Sequence, residues 1–457
     1  MRKKIGYLTT LLCLFLLTGC GNGASEAATQ PDKVQTQDTE RTVLTFGYID
    51  SSPDLDLDSN INERIVTFNK GQDKYFIEVI KYGEGSYKDG LNALNADISA
   101  KKTPDIIAID GKSLLWQLGN KGAIEDLYPY IDQDEELSRE DFVENTLANF
   151  ERDGKLYGMN PFFSISSIYG DPDIMTSDKI TFQELKTMYE ENKDNDEMLV
   201  YNGLNRHQLL VTCIYKSISS FVDKENGKCN FMDERFREML EFSKEFDDTP
   251  YSDVSFDSEN SIRLMEGTLP LFTDRELNGF EQYTHYRELS GKSWVFMGFP
   301  TVDGCNPKIT TKAIGAPFLA IGRDSKNKEA AWEFICTFLE DKFFLANKDV
   351  NRGKGFPITV SGFERAAQRA VQTSLSNGEA SITDDMGRTI SYSMEPTTEE
   401  EVAYIKEVIS RCRPEENYDE IENIISEEIL NYWNDTKSVE EVMEIIQNRA
   451  QLYLDEQ

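Results

Sequence analysis

A chain of 457 residues with 82 acidic and 48 basic side chains carries a formal charge of −34. It is too long for one hydrophobic core and about right for two domains. So acidic a surface repels phosphate backbones and anionic headgroups, which argues against nucleic acid as a partner and against direct docking on a membrane surface.

In residues 1–20, Arg2, Lys3 and Lys4 precede the apolar run Ile5 to Leu17. As a helix that run reaches only ~20 Å, against a bilayer core of ~30 Å, so it reads as an export signal and not as a transmembrane anchor. It ends in Leu17-Thr18-Gly19-Cys20, which resembles the bacterial lipobox. The resemblance implies cleavage after Gly19 (residues 1–19 as signal peptide) and lipidation of Cys20. The alternative is an ordinary secretory signal with an incidental cysteine. A lipidated chain would be a soluble domain held at the outer face of the cell membrane. Residues 21–41 are small and polar, a tether of roughly 25 Å rms reach.

From Thr42 strands and helices alternate. Val43 to Tyr48 reads as a strand, Asn60 to Lys70 as a helix, Tyr75 to Tyr82 as a strand and Tyr87 to Lys101 as a helix. Asp105-Ile106-Ile107-Ala108-Ile109-Asp110 is a continuous apolar run closed by acids, the pattern of a strand buried on both faces. A helix from Leu114 to Lys121 follows. The alternation predicts a parallel sheet whose ligand lies beyond the carboxyl ends of its strands, at the Asp50-Ser51 turn and the Asp110-Gly111 loop. Further on, Ala331, Phe334, Ile335 and Phe338 recur at helical spacing, as do Ile421, Ile425 and Ile429. Ser438 with Glu441 forms a capping box ahead of Val439, Val442, Ile446 and Ala450.

Motifs for chemistry are scarce. Asp54-Leu55-Asp56-Leu57-Asp58 opens like a calcium loop, but Ser59 and Ile65 stand where such a loop needs Gly and Glu. Gly111-Lys112-Ser113 and Gly291-Lys292-Ser293 lack the leading glycine of a phosphate loop. His207 and His285 are the two histidines, and no GxSxG or HExxH occurs. Among 82 acidic residues, chance pairs of carboxylates carry no weight. The reading is therefore not an enzyme, with no catalytic residue, no metal and no cofactor. Of seven cysteines, Cys213, Cys229, Cys305, Cys336 and Cys412 remain after Cys13 and Cys20, without CxxC spacing. This excludes a disulfide-framework fold and leaves any single pairing open. The chain is rich in aromatics, with 26 Phe, 20 Tyr and 4 Trp. Such rings can stack on the apolar face of a sugar while charged and amide side chains bind its hydroxyls. Trp294 is preferred over Trp116 as a stacking ring, whereas Trp332 and Trp433 lie on helical stripes that face a core.

Seven segments in order resemble family 1 extracellular solute-binding proteins, the sugar-capturing components of ABC importers. They begin with Thr103-Pro104-Asp105-Ile106-Ile107, Gly122-Ala123-Ile124-Glu125-Asp126-Leu127 and Gly154-Lys155-Leu156-Tyr157-Gly158. Arg263 to Leu271, Gly298 to Val302, Ile314 to Ile321 and Ser325 to Leu339 follow, and Lys437 to Val442 resembles the end of the family's long members. Where members often carry Asn-Lys-Asp after the crossing strand, this chain has Gly170-Asp171-Pro172-Asp173. The resemblance implies an α/β fold, two-lobed and periplasmic-binding-protein-like (type II), joined by a multi-crossing hinge. Lobe one would be 42–160 plus 306–345, and lobe two 161–305 plus 346–457. It further implies capture of a carbohydrate (an oligosaccharide above all) by a monomer that delivers it to an ABC permease, with the membrane met through the lipid anchor alone. Ligand-binding positions carried over are Asp50, Ser51, Asp110, Phe163, Asn205, His207, Asp274, Arg275 and Arg352, with Trp294 added for its ring. Two other classes stay open: a lipid-anchored glycan-acting enzyme, and a non-transport surface sensor or scaffold.

Overall fold

The computed structural model describes residues 41–50, 59–192, 200–201, 205–246, 271–310, 317–340, 355–373, 378–383, 389–416 and 418–456. The expectations for Ser51, Arg352 and Cys20 lie outside the described residues.

The first sheet is built as the alternation predicts. β1 (Thr42–Ile49), α1 (Ser59–Gly71), β2 (Tyr75–Tyr82), α2 (Tyr87–Ser99), β3 (Ile106–Ile109) and α3 (Lys112–Asn120) follow one another. β1 runs parallel to β2, with Thr42 opposite Tyr75 and Ile49 opposite Tyr82, and parallel to β3, with Phe46 opposite Ile106. All four β3 residues are buried, which is why the strand shows no alternation. Asp105 pins this sheet. Its Oδ2 accepts from the Thr45 backbone N–H and hydroxyl, both at 2.8 Å, and its Oδ1 accepts from Ser325 Oγ at 2.5 Å. A buried carboxylate with three such donors is satisfied where it stands, so the Thr-Pro-Asp segment has a structural task.

The chain continues through helices Tyr128–Gln133 (α4) and Phe182–Asn192 (α5), and strands Glu151–Arg152 (β4), Lys155–Leu156 (β5), Phe162–Gly170 (β6) and Val200–Tyr201 (β7). Arg206–Leu209 (α6) precedes a short hairpin, Val222–Asp223 (β8) with Lys228–Cys229 (β9), and Glu234–Lys244 (α7). Leu271–Leu277 (β10), Phe280–Ser290 (α8), Val295–Gly298 (β11), Lys308–Thr310 (β12), Phe318–Ile321 (β13) and Lys328–Cys336 (α9) come next. Phe356–Pro357 (β14), Val360–Gln372 (α10), the hairpin Glu379–Thr383 (β15) with Thr389–Ser393 (β16), and Glu399–Arg411 (α11) lead to Arg413–Pro414 (β17), Asp419–Trp433 (α12) and Val439–Asp455 (α13).

β13 closes the first sheet antiparallel to β3, in the order β13-β3-β1-β2. The larger sheet centres on β6, which pairs with β10, β11, β12 and β14, and β12 in turn pairs with β17. β11 meets β6 through an irregular register at Gly298. There φ is +70°, and a Cβ would stand 1.7 Å from the Cys305 carbonyl oxygen, so glycine is required.

Two cores result. One joins the first sheet to β6, α8, α10 and α11, with Phe334 edge-on to Phe46 and Phe68. The other gathers α5, α7, α12 and α13 around Ile168, Phe231 and Phe299. The Ser438 capping box forms as predicted, and Val442, Ile446 and Ala450 are fully buried. The five cysteines named above are free. Among the described residues no helix is long and apolar enough to cross a membrane.

Candidate functional site

The parallel strands β1, β2 and β3 end together at one edge, where the chain turns into α2 and α3. Asp50 leaves β1 there and is 2 % exposed; its N–H donates to the Tyr82 carbonyl at 2.7 Å, and Lys81 Nζ stands 2.8 Å from its Oδ2. Asp110 leaves β3 and is exposed, close to Tyr87, whose phenol pKa is raised by burial and by the Asp110 charge. Gly111 takes a left-handed φ of +83° and offers no side-chain cap. The turn sets Lys112 on the first residue of α3.

Lys112 begins a polar cluster that spans distant parts of the sequence. Its Nζ donates to Asn149 Oδ1 at 2.7 Å and lies 3.8 Å from Glu415 Oε2, while Lys216 Nζ stands 2.5 Å from Glu415 Oε1. Asn149 Oδ1 also accepts from the Glu415 N–H at 3.1 Å. Burial pushes the Glu415 pKa up, but Lys216 and Lys112 outweigh it and hold the carboxyl below its ordinary range. Burial lowers the Lys112 pKa, with Glu415 opposing.

Beside this cluster lies a cavity of about 370 Å³, lined by Trp116, Asn149, Glu151, Arg152, Asp153, Lys224, Glu415, Tyr418, Ile421 and Tyr453, among others. Its volume falls within the roughly 300–1,000 Å³ of small-molecule sites. Trp116 belongs to the first core, and Tyr418 and Ile421 to the second, so the cavity sits where the two cores meet. Trp116 Nε1 donates to the Phe150 carbonyl at 3.3 Å, which fixes the indole plane. Three rings (Trp116, Tyr418 and Tyr453), a primary amide and charges of both signs make a surface suited to a ligand with apolar faces and a polar rim. Among the described residues no group of three or more His, Cys, Asp or Glu could hold a metal ion.

The residues expected from the sequence divide. Asp50 and Asp110 stand on the carboxyl edge as the parallel topology requires. Phe163 is fully buried in β6 and packs on Phe356 and Phe363, ring centres 5.4 and 6.2 Å apart. Trp294 is likewise a core ring, 1 % exposed, donating through Nε1 to Ser290 Oγ at 2.8 Å. Asn205 caps α6 by accepting from the Gln208 N–H at 2.7 Å, which explains its polar side chain locally. His207 lies edge-on to Trp433, ring centres 5.5 Å apart. Asp274 and Arg275 are in β10, Asp274 opposite Ser167; their side chains lie outside the described residues. Trp332 and Trp433 are buried as expected. Sequence reasoning missed Asn149, Arg152, Lys224, Glu415 and Tyr418. The signal within reach was Trp116, four residues beyond Lys112 and so on the same face of α3.

Comparisons with known proteins agree with this architecture. The family model described as bacterial extracellular solute-binding protein matches residues 63–346. The arabinooligosaccharide-binding protein of Bacillus subtilis (strain 168) is 23% identical over 185 residues, 35% of this chain. The matched stretch spans 42% of that relative's length, less than half of it. Among solved structures, the sugar-binding protein MalE of Xanthomonas citri superposes with a TM-score of 0.58 at 13% identity, over 91% of this chain and 98% of that one. A family 1 extracellular solute-binding protein of Alicyclobacillus acidocaldarius gives 0.55 at 13% identity, over 91% and 98%. The ABC substrate-binding protein of Listeria monocytogenes, solved with cycloalternan, gives 0.54 at 14% identity, over 91% and 100%. At such identities the likeness establishes the fold, α/β and two-lobed.

Proposed function

We propose a function from one premise: this chain belongs to the bacterial extracellular solute-binding proteins, binding proteins and not enzymes, whose family model matches more than half of it. We infer that the solute is a carbohydrate, of oligosaccharide size, gripped where the two cores meet. The observation that carries this reading is the cavity itself, with Trp116 and Tyr418 as rings and Asn149, Arg152, Lys224 and Glu415 as polar groups. The names of the Bacillus and Xanthomonas proteins, which specify sugars, support it.

The mechanism is closure upon the ligand. Open and closed forms exchange, and sugar favours the closed form because both sides then touch it. Micromolar affinity needs about −8 kcal/mol. One stacked ring and a few charge-assisted hydrogen bonds of roughly 1.5–3 kcal/mol each reach that figure after the cost of ordering. Cys20 would carry the lipid that holds the chain at the outer face of the cell membrane, and the closed form would hand its sugar unaltered to an ABC permease.

The test is a thermal-shift screen of the mature protein against mono- and oligosaccharides, followed by calorimetry and product analysis. A sugar at a hundred times its dissociation constant should stabilise by roughly 2.7 kcal/mol. Trp116→Ala and Tyr418→Ala should each weaken binding at least about tenfold. If no sugar shifts the transition, or if both variants bind as the parent does, this reading falls. If products appear, the protein is a glycan-acting enzyme.

A further inference from the structure

Asn149 lines the cavity and is 2 % exposed, and half of its amide has work still to do. Its Oδ1 accepts twice, from Lys112 Nζ at 2.7 Å and from the Glu415 N–H at 3.1 Å. Those two donors fix which way the amide lies, since the reverse orientation would set its NH2 against an ammonium and an N–H. Nδ2 is thereby committed to the other side, and among the described residues it has no acceptor. A donor buried in this way costs stability until some oxygen takes its hydrogen.

Glu415 stands beside it with the complementary capacity. Its side chain is 35 % exposed and lines the same cavity. Oε1 takes the Lys216 ammonium at 2.5 Å, whereas Oε2 has Thr310 Oγ1 at 3.5 Å and Lys112 Nζ at 3.8 Å, both long. A carboxylate offers about four lone-pair sites, so Oε2 has room for a short hydrogen bond. Against the effect of burial, Lys216 and Lys112 hold the carboxyl below its ordinary range, so at neutral pH it accepts and does not donate. The other two acids of the wall are engaged elsewhere: Glu151 accepts from the Tyr128 hydroxyl at 2.6 Å, and Asp153 lies 3.6 Å from Arg152. A nitrogen that can only donate thus neighbours an oxygen that can only accept. A hydroxyl meets both, because its oxygen accepts while its proton is donated. An ether or carbonyl oxygen would meet Asn149 alone.

We propose that Asn149 and Glu415 together read a single hydroxyl of the bound sugar, Asn149 Nδ2 donating to its oxygen and Glu415 Oε2 accepting its proton. The inference rests on the carbohydrate reading above and narrows it to sugars that carry an unsubstituted hydroxyl at that point.

Calorimetry on the protein tests it, with neutral di- and trisaccharides of glucose, galactose, mannose, xylose and arabinose, and with the monodeoxy and mono-O-methyl forms of those that bind. At one ring position, changing the hydroxyl to hydrogen or to methoxy should weaken binding by about ten- to a hundredfold. Asn149→Ala should weaken the parent sugar by about tenfold or more, yet weaken that same deoxy sugar by less than about threefold, because its contact is already gone. Asn149→Asp keeps an acceptor for Lys112 and for the Glu415 N–H while removing the donor, so it should show the same coupling even if the alanine variant folds poorly. Glu415→Gln should couple to the same ring position. If the Asn149 variants weaken parent and deoxy sugars alike, or if every monodeoxy sugar binds as its parent does, the proposal is overturned and the carbohydrate reading stands. If no sugar of the panel binds, both fall.

Discussion

Glu422, on the first turn of α12, offers a sharp test of the electrostatics around the cavity. Burial raises its pKa to about 7, with Asp419 and Glu415 adding like charge and Lys216 opposing. The free side chain titrates near 4.5. Below that value both folded and unfolded chains hold the proton, and Glu422 discriminates between them no further. Between 4.5 and about 7 the unfolded chain has released it and the folded chain has not, so stability falls as pH rises. Above about 7 the loss is complete. A pKa difference of about 2.5, at roughly 1.4 kcal/mol for each, amounts to about 3.5 kcal/mol. Glu422→Gln keeps the shape and removes the charge. In urea denaturation of the protein at about pH 8 the variant should be more stable by about 3.5 kcal/mol, and at about pH 4 the two should agree within about 0.5 kcal/mol. A gain of equal size at both pH values, or none at pH 8, would refute the assignment of this destabilisation to a buried ionised carboxyl.

Three further outcomes follow from named contacts. Glu415→Gln leaves Lys216 and Lys112 facing each other and should lower stability by about 2 kcal/mol, between the values for exposed and buried pairs; in a double-mutant cycle Lys216→Met should recover part of that loss, and strict additivity would contradict the contact. Because the Glu415 pKa is held down, its contribution is present above about 4.5 and disappears as pH falls through the lowered value. Asn149→Ala strips the acceptor from both Lys112 Nζ and the Glu415 N–H, for a loss of about 1–3 kcal/mol by denaturation. Gly298→Ala drives a Cβ into the Cys305 carbonyl at positive φ and should lose about 3 kcal/mol or more, seen as a collapsed soluble yield; a well-folded variant would deny the irregular pairing of β11 with β6.

Much of the first sheet was legible because its evidence is local. The strand expected at Tyr75 to Tyr82 has those bounds, and β1 and β3 fall within a residue of their expected ends. A continuous Ile-Ile-Ala-Ile run means burial on both faces whatever the rest of the chain does. The site was harder to see. Arg152 belongs to β4, Lys224 to the β8–β9 turn and Glu415 follows β17, which reaches β6 through β12, and such long-range pairing leaves no mark at those positions. Rings misled for a related reason. Phe163 and Trp294 have the chemistry of a sugar platform and equally that of a core, and only tertiary packing separates the two. Asn205 looked like a ligand because helix starts and binding sites favour the same side chains.

The closure of the first sheet by β13 also governs when this molecule can fold. β13 pairs with β3 across about 200 residues of intervening chain, so the sheet stays open at its β3 edge until most of the polypeptide is in place. Bringing such distant segments together is entropically slow. A fragment ending before Phe318 would present a row of unpaired backbone N–H and C=O groups, flanked by apolar side chains alone, to any neighbour, and such edges seed aggregation. Truncation from the C-terminal side is therefore the wrong way to seek a smaller folded unit of this protein.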